Sequence, residues 1–321
     1  MRAPSAVQKT RNIIAGLSES QINITLFCTL AFLWSFTWFV GVYQVRNTIL
    51  PEIAASYRFL FASVVVFACC VFTKTPIKIN KTDCKTLSIY ALFSCSTNFI
   101  LFYYAAMYVV TGFSAVIFSF SVIFSAFIGK FFFGLDKNFN SKTIISASIG
   151  ILGLTLIMMP SIRHQQVSPA FVLGIILGFM ATISFSIGSV YYESKKMTIG
   201  VIPSFAYFCL FGGLLSMFWA FVHTSLTGEE LALMPHFSFA FILSFIYMSL
   251  FSSAIGYMCL FVLIKRIGSV NTSYTSLVSP VLAMVVSSAF EGYSIQVWTF
   301  LGLGLILASR LFIMISDRRS K

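Results

Sequence analysis

Charged side chains are scarce in this chain of 321 residues, in which Asp, Glu, Lys and Arg together make up only 9%. Soluble domains carry about 25% charged residues, so this chain has too few polar groups to cover a core in water. Hydrophobic residues account for 58% of the sequence. The composition excludes a soluble enzyme and a disordered scaffold, and it indicates a protein embedded in lipid.

Acidic residues are also absent from the middle of every long apolar stretch, because all nine fall in gaps or near stretch ends. Proton pumps usually carry Asp, Glu or His within the membrane, so proton coupling through a deep carboxylate is poorly supported. Facilitated diffusion, exchange and coupling through loop carboxylates stay open. The seven cysteines show no CxxC spacing, and His164, His223 and His236 fall in gaps without ligand spacing. We therefore expect no metal and no cofactor.

What the sequence does contain is ten apolar segments of about 20 residues, the length that spans a bilayer as a helix. Backbone amides have no water partner in hydrocarbon, and the alternation typical of a barrel strand is absent, so each segment should be helical. A turn at Thr111–Gly112 should separate the third segment from the fourth. In chain order, segments 1 to 10 cover residues 24–43, 53–73, 87–108, 112–133, 142–159, 169–190, 202–222, 237–258, 271–290 and 296–315.

If the chain crosses the membrane ten times, nearly all of the 21 Lys and Arg residues lie on the same side of the membrane. All of them fall on one side of the membrane except Arg46 and Arg163, on the other side, and Arg58, which lies inside segment 2. Basic residues are retained on the cytoplasmic side, so both termini are predicted to be cytoplasmic. The net charge of +12 is then an orientation signal that requires no nucleic-acid partner.

Five segments in each half would give the two halves opposite orientations. Leu30–Gly41 and Leu177–Gly188 align with Leu, Phe and Gly in register, and Pro51 and Pro203 precede segments 2 and 7. Gaps that are basic in one half correspond to gaps without Lys or Arg in the other. We predict an all-α polytopic membrane protein with ten transmembrane helices in an inverted 5+5 repeat. Its parts are an N-terminal cytoplasmic tail (1–21), a first repeat (22–160), a second repeat (161–316) and a C-terminal cytoplasmic tail (317–321).

Two local motifs carry a resemblance to a known family. Trp34-Ser35-Phe36 in segment 1 and Pro51-x6-Arg58-Phe59-Leu60 at segment 2 resemble the EamA-type family of the drug/metabolite transporter superfamily. Ser279-Pro280 and Glu291-Gly292 approximate the second-half Pro and Leu-Gly-Glu of that family. The resemblance implies a secondary transporter of small organic metabolites, often amino acids or related compounds. The first half departs from the family pattern at Val122 and Gly134-Leu135-Asp136.

Arg58 is the candidate cation inside the bundle, about 10 Å along the helix from Pro51. A charge exposed to lipid costs on the order of 3 kcal/mol, so Arg58 should face the bundle interior or water. It could bind or gate a carboxylate-bearing substrate, or it could be a structural residue that snorkels outward or bonds to helix-end carbonyls. Glu52 is six positions away and points to a different face, so it is not an obvious partner.

Polar uncharged and aromatic residues complete the candidate site. Hydroxyl groups recur at helical spacing and could line a cavity or simply pack helices together. Asn98 should line the cavity, whereas Asn271 starts its segment and could equally cap it. Trp34 and Trp38 lie mid-segment, away from the interfacial belt; Tyr103 and Tyr104 should anchor in that belt, and Tyr257 could do either. The predicted substrate-binding residues are Arg58, Trp34, Trp38, Asn98, Ser121, Thr182, Ser186, Tyr257, Asn271 and Thr275.

The function predicted from the sequence is alternating-access transport of an amino acid or derivative across a bacterial inner membrane. A nucleoside-bearing metabolite such as S-adenosylmethionine is the alternative substrate, since aromatic walls also stack on purines. A membrane enzyme is disfavoured because no carboxylate group, His cluster or metal constellation is visible, and a receptor or assembly subunit would need an extramembrane domain. The expected partners are a small-molecule substrate and the lipid bilayer, and the sequence leaves the oligomeric state open.

Overall fold

The chain is described by a computed structural model. It covers residues 18–45, 50–109, 111–135, 141–163, 168–229, 233, 238–279, 281–282 and 296–318. Within the helices, a few side chains lie outside the described set, among them those of Trp38, Arg163 and Arg310. The described residues are almost entirely helical and contain no strand.

The first half of the chain forms six helices. The third of them, α3, contains a π-helical stretch at Leu92–Thr97. The fourth and fifth are separated only by Phe120. The six helices are α1 (Glu19–Val45), α2 (Pro51–Phe72), α3 (Lys81–Tyr108), α4 (Thr111–Ser119), α5 (Ser121–Phe133) and α6 (Ser141–Arg163).

The second half forms five further helices in the described residues, together with a helical stretch at 275–279. The third of these, α9, also contains a π-helical stretch, at Tyr247–Tyr257. The five helices are α7 (Pro169–Ser194), α8 (Val201–Thr227), α9 (Phe239–Ile267), α10 (Ser269–Ser273) and α11 (Val297–Arg318).

Six helices are long and apolar enough to cross a membrane, namely α1, α2, α3, α7, α8 and α9. Segments 4, 5 and 10 contain the shorter apolar helical stretches Ile117–Phe133, Ser141–Ile157 and Val297–Ser309. Most of the second part of segment 9 lies outside the described residues. The structure thus confirms an all-helical chain with several membrane spans, and the count of ten stays a prediction.

Some sequence-predicted boundaries are wrong by a few residues. Helix α9 continues to Ile267, nine residues past the predicted end, because Lys265 and Arg266 extend its last turn at the polar edge. Helix α8 continues to Thr227, so His223 lies in a helix and not in a gap. The turn between segments 3 and 4 begins at Val109, where the backbone becomes extended.

Local sequence signals explain where the helices start and stop. Pro51 and Pro169 occupy the first turns of α2 and α7, where a missing amide proton costs nothing. The side chains of Asn80 and Ser168 accept hydrogen bonds from the backbone amides of Asp83 and Phe171. Helix α8 ends at Gly228, whose φ of +72° is accessible to glycine without strain.

Successive long helices run in opposite directions, with α4 and α5 counted as one because only Phe120 separates them, and they define two ends of the bundle. The Ser63 hydroxyl on α2 donates to the Ala206 carbonyl on α8 at 3.1 Å, while Glu52 meets His223 at the far end of the same antiparallel pair. We call the end at which α1 and α3 begin the lysine-rich end. The other end, where α2 and α9 begin, is called the opposite end. The cations that mark the lysine-rich end include Lys74, Lys81, Lys130, Lys195 and Lys265.

The outer surface of the bundle is apolar. Large side chains such as Phe72 and Phe239, 87% and 82% exposed, project outward, whereas most buried polar groups are small hydroxyls. A continuous apolar surface of this kind marks contact with membrane lipid. The structure therefore describes a multi-pass membrane protein.

Helices α6 and α11 approach so closely that only glycine fits at their contact. A Cβ atom on Gly302 would lie 2.3 Å from the carbonyl oxygen of Gly153, and one on Gly153 would lie 2.6 Å from that of Gly302. Small residues allow this close packing of membrane helices. Two residues further along α11, a Cβ on Gly304 would meet no atom within 4 Å.

We predict that Gly302→Val destabilises the folded protein, because its side chain would force α6 and α11 apart at a cost of about 1–3 kcal/mol. The measurement is the thermal midpoint in detergent, which should fall by several degrees. Gly304→Val is the matched control and should leave the midpoint unchanged. Equal midpoints for the two variants would contradict the close approach of the two helices.

Candidate functional site

A cavity of about 80 Å³ lies in the bundle between α1, α3, α4 and α9. It extends from Gly41 and Ala106, near the opposite end, to Trp34 and Tyr257 at mid-bundle. Six of its 13 lining residues are aromatic, among them Phe99, Phe102 and Phe118. The wall also carries polar groups, which belong to Thr37, Asn98, Tyr103, Ser114 and Ser252.

Arg58 lies directly behind this wall and is fully buried. Its Nε donates to the Ser253 hydroxyl at 2.6 Å and its Nη2 donates to the Ser252 hydroxyl at 3.1 Å. Its Nη1 is 3.5 Å from the Tyr103 hydroxyl. Ser252 and Tyr103 themselves line the cavity, so the guanidinium is one side chain away from the enclosed space.

Aromatic faces also hold the guanidinium. Its carbon Cζ lies 4.4 Å from the centre of the Phe99 ring and 5.1 Å from that of Phe59, distances at which a ring quadrupole attracts a cation. The alternative in which Arg58 snorkels outward is wrong, since the side chain has no exposed surface and bonds to hydroxyls within the bundle.

The charge of Arg58 has no carboxylate partner among the described residues. The ion pairs found there join His223 to Glu52 and Glu229, and Arg266 to Glu19. A buried charge without a counter-charge is strongly destabilising unless hydrogen bonds and a bound anion offset it. The hydroxyls and ring faces supply part of that compensation, and the net positive charge remains.

The π-helical stretch of α9 brings two consecutive serines to the same guanidinium. Adjacent residues of a regular α-helix point about 100° apart, so Ser252 and Ser253 would not both face one neighbouring group. A π-helical turn inserts an extra residue and re-aims side chains, which is common at functional sites. The Ser252 hydroxyl also lies 2.8 Å from that of Thr37, so one serine contacts both Arg58 and α1.

Trp34 and Tyr257 form a fixed floor to the cavity. The Trp34 indole donates to the Ser252 carbonyl at 3.4 Å, and the Tyr257 hydroxyl donates to the Ser94 carbonyl at 3.1 Å. The two ring centres are 5.4 Å apart. A Cβ on Gly256 would lie 2.9 Å from the indole nitrogen, so glycine is needed to seat Trp34 against α9.

Below this floor, the bundle is closed toward the lysine-rich end. Tyr90, Tyr192, Phe208 and Phe261 are buried together, and the Tyr90 and Tyr192 rings stack at 4.7 Å. The ammonium of Lys265 donates to the carbonyls of Tyr192 and Lys195, each at 2.6 Å. We call the four rings the aromatic cluster. It separates the cavity from the polar groups at that end.

A second tie at the lysine-rich end joins the two halves of the chain. Asp83, buried at the start of α3, accepts hydrogen bonds from the amides of Thr198 and Ile199 at 3.1 and 3.0 Å. Within the second half, the Ser269 amide donates to Glu193 at 2.7 Å. Polar contacts therefore hold this end together in the conformation described.

The structure brings only some of the sequence-predicted site residues together. Trp34, Asn98 and Tyr257 line the cavity, and Arg58 lies behind its wall. The amide of Asn98 donates to the Ala181 carbonyl at 2.9 Å, which fixes the side chain at the wall. The side chain of Trp38 lies outside the described residues.

The other predicted site residues do not line the cavity. The hydroxyl of Thr182 bonds to Gly178 in its own helix, and that of Ser186 bonds to Thr182. The Ser121 hydroxyl is 3.2 Å from that of Ser276, and Thr275 bonds to Thr272. These are contacts typical of helix packing. Asn271 is exposed and donates back to the Ile267 carbonyl, four residues earlier.

Two predictions about tyrosines are wrong. Tyr103 and Tyr104 are not belt anchors, because their hydroxyls donate to Gln44 and Glu52 within the bundle, each at 2.9 Å. Ser252 and Ser253, which hold Arg58, carry one sequence signal: they are adjacent hydroxyls, whereas Ser244 and Ser249 of the same segment stand singly. Among the described residues, no group of three or more His, Cys, Asp or Glu side chains could hold a metal ion.

Long apolar helices around a cavity backed by a buried cation define a polytopic membrane protein of the transporter class. The chain belongs to the EamA-like transporter family, whose sequence profile matches residues 21–159 and again residues 172–315. The resemblance seen in the sequence motifs is thereby confirmed.

Relatives of known sequence are bacterial proteins named as transporters. One from Buchnera aphidicola subsp. Schlechtendalia chinensis, an uncharacterized transporter encoded in the trpA 3' region, is 26% identical over 86% of this chain and 87% of its own length. An uncharacterized transporter of Clostridium kluyveri is 23% identical over 76% of each chain. The uncharacterized transporter YdfC of Bacillus subtilis is 25% identical over 81% of this chain and 80% of its own.

The fold is also similar to that of a protein with a solved crystal structure. The two superpose with a TM-score of 0.75 over 95% of this chain and 100% of the other, at 15% sequence identity. At this identity the likeness concerns the fold alone.

We predict that Asn98→Ala lowers the thermal midpoint, because the hydrogen bond from the buried Asn98 amide to the Ala181 carbonyl would be lost, at a cost of about 1 kcal/mol. Asn271→Ala is the matched control, since that side chain is exposed and bonds only within its own turn. Its midpoint should equal that of the wild type. A shift of the same size in both variants would contradict the wall position assigned to Asn98.

Proposed function

We propose that this protein is a secondary transporter that moves an amino acid or a close derivative across the membrane by alternating access. The observation that carries the proposal is the buried guanidinium of Arg58, which has no carboxylate partner among the described residues. A substrate carboxylate would supply the missing counter-charge. The substrate carboxylate can reach Arg58 from the cavity when the side chain of Ser252 or Tyr103 moves aside.

The wall chemistry supports a small amphipathic substrate. Phe99, Phe102 and Phe118 offer apolar surface, and hydroxyl and amide groups stand beside them. An amino acid carries one carboxylate for Arg58 and one ammonium for hydroxyl and ring faces. S-adenosylmethionine adds a sulfonium charge, which an unpaired arginine would repel, so the cavity favours an ordinary amino acid over this alternative.

The family and its relatives support transport over catalysis. Every relative described above is named a transporter. Among the described residues, the cavity wall carries amide, hydroxyl and aromatic groups and no carboxylate, histidine or cysteine. General acid–base or metal-assisted chemistry would need such groups beside the substrate.

We also propose that the chain forms ten transmembrane helices as an inverted 5+5 repeat, with repeats at 22–160 and 161–316 between tails at 1–21 and 317–321. Two matches to one family profile support a duplication. The π-helical stretches support it as well, since they occur in α3 and α9, which correspond to segments 3 and 8.

The contacts between helices also support an inverted repeat. If segment 1 corresponds to 6 and segment 3 to 8, the contact of α3 with α7 should recur as a contact of α9 with α1. The hydrogen bonds from Asn98 to Ala181 and from Trp34 to Ser252 are such a pair. Helix α2 packs on its counterpart α8, and α6 on its counterpart α11.

The proposed orientation places the lysine-rich end and both termini in the cytoplasm, by retention of basic residues. The bacterial relatives support the inner (plasma) membrane as the location. The cavity then belongs to the outer half of the bundle. In the alternating-access cycle, the aromatic cluster and the Lys265 and Asp83 ties must separate to release substrate inward.

The test is amino-acid exchange in vesicles containing the purified full-length protein. A mixture of radiolabelled proteinogenic amino acids should enter vesicles preloaded with the unlabelled mixture. Arg58→Leu should reduce this uptake at least about tenfold, since truncating one partner of a buried charge pair costs about 2–5 kcal/mol. Arg58→Lys keeps a positive charge but loses the planar guanidinium, so its uptake should lie between that of the wild type and that of Arg58→Leu.

Two controls separate binding from folding. Replacing a buried charge by an apolar residue of similar size is often neutral for stability, so Arg58→Leu should give wild-type amounts of monodisperse protein. Lys196→Gln removes an exposed cation at the lysine-rich end and should leave uptake unchanged. Wild-type uptake by Arg58→Leu would refute the binding role of Arg58.

A further inference from the structure

Three polar side chains from three helices meet at the opposite end of the bundle. The hydroxyl of Tyr104 on α3 donates to Oε1 of Glu52 on α2 at 2.9 Å. Nδ1 of His223 on α8 lies 3.2 Å from the same carboxylate oxygen and 3.0 Å from the Tyr104 hydroxyl. We call Glu52, Tyr104 and His223 the outer triad. It does not contact the residues that line the cavity floor.

Glu52 is a buried carboxylate with incomplete solvation. The residue is 4% exposed, and its Oε2 has no hydrogen-bond partner among the described residues. A buried acceptor left without a donor is costly, and the cost is greater when the group is ionised. Protonation of the carboxyl group removes the charge from this oxygen.

One proton lies between the carboxylate and the imidazole. At 3.2 Å, a neutral imidazole with its proton on Nδ1 donates a hydrogen bond to Oε1 of Glu52. The pair carries one negative charge with no added proton, no net charge with one, and one positive charge with two. A proton added to the pair can therefore reside on Nε2 of the imidazole or on the carboxylate.

Few other ionisable groups lie near the outer triad in the described part of the chain. Helix α9 contributes no ionisable side chain before Tyr247, and α8 contributes none besides His223 in its last three turns. The remaining neighbours are Glu229 after α8, Tyr57 and Arg58 on α2, and Tyr103 and Tyr108 on α3. Glu229 is the only other carboxylate among them.

A route for protons leads from the surface to Glu52. The side chain of His223 is 24% exposed, and its Nε2 lies 4.0 Å from Oε2 of Glu229, whose side chain is 58% exposed. A proton taken up at the surface can bind His223 at Nε2, while the proton on Nδ1 passes to the carboxylate of Glu52. His223 therefore connects buried Glu52 to water at this end.

The outer triad is linked to Arg58 by two helices. Tyr104 contacts Glu52, and the adjacent Tyr103 contacts Arg58, so consecutive residues of α3 contact two groups on α2. Helix α2 is held along α8 by the bond from Ser63 to Ala206. A shift of α3 against the α2–α8 pair would change both tyrosine contacts together.

We propose that Glu52 and His223 form a proton-binding site whose occupancy is coupled to substrate binding at Arg58. The proposal rests on the transport function proposed above. Protonation weakens the attraction of Glu52 for the Tyr104 hydroxyl by neutralising the carboxylate, which frees α3 to move relative to α2. That movement also changes the contact of Tyr103 with Arg58, and the transporter thereby couples substrate movement to protons.

Proton binding is tested without any substrate, by infrared difference spectroscopy of the full-length protein in lipid nanodiscs between about pH 5 and pH 8, the range in which histidine titrates. The wild type should gain a carboxylic-acid carbonyl band on acidification. Glu52→Gln should lack this band, and His223→Gln should show it over a different pH range. Glu229→Gln is the matched control and should keep it. A spectrum of Glu52→Gln identical to the wild type would overturn the proton site.

Coupling is tested in vesicles with the radiolabelled amino-acid mixture. A gradient of one pH unit should change wild-type accumulation up to about tenfold, the limit for one proton per substrate. Glu52→Gln and His223→Gln should still exchange amino acids measurably and lose the response to the gradient. Exchange without any wild-type gradient response would overturn coupling. Absence of exchange in the wild type would instead refute amino-acid transport, and the infrared result alone would then decide the proton site.

Discussion

A guanidinium group buried in an apolar bundle imposes a requirement on everything packed around it. Arg58 meets that requirement partly, through two serine hydroxyls, a tyrosine hydroxyl and the faces of Phe59 and Phe99. None of these groups carries a negative charge. The π-helical stretch of α9 and the two rings hold this cation beside the cavity, and in the proposed function the substrate supplies the anion.

Helix α3 connects the features that a transport cycle has to coordinate. Its π-helical stretch lies beside the cavity floor, since Ser94 accepts the bond from Tyr257. Its outer part contacts Arg58 through Tyr103 and Glu52 through Tyr104. Its first turn at the lysine-rich end holds Asp83 against Thr198. Movement of one helix would therefore reach the substrate cavity and both ends of the bundle.

The sequence predicts the fold class well because lipid allows few solutions: a long apolar segment with few charges must be a helix. It also identifies Arg58, since a charge inside such a segment is rare and costly. Ser121, Thr182, Ser186 and Thr275 could not be assigned in this way, because a hydroxyl on a membrane helix satisfies itself within its own turn or at a helix contact. The π-helical stretches depend on tertiary packing, so no local pattern reveals that Ser252 and Ser253 face Arg58 together. Glu52 and His223 lie 171 residues apart, and only the packing of α2 on α8 brings them together.

The central claim is that Arg58 binds the carboxylate of the substrate. It is tested most directly by comparing ligands that differ only in that group. Thermal stabilisation of the wild-type protein should be measured for each proteinogenic amino acid and for its carboxamide. A ligand that binds only the folded state raises its stability in proportion to the logarithm of its concentration over Kd. The account predicts stabilisation by at least one amino acid and none by its carboxamide at the same concentration. Equal stabilisation by the two forms would contradict it.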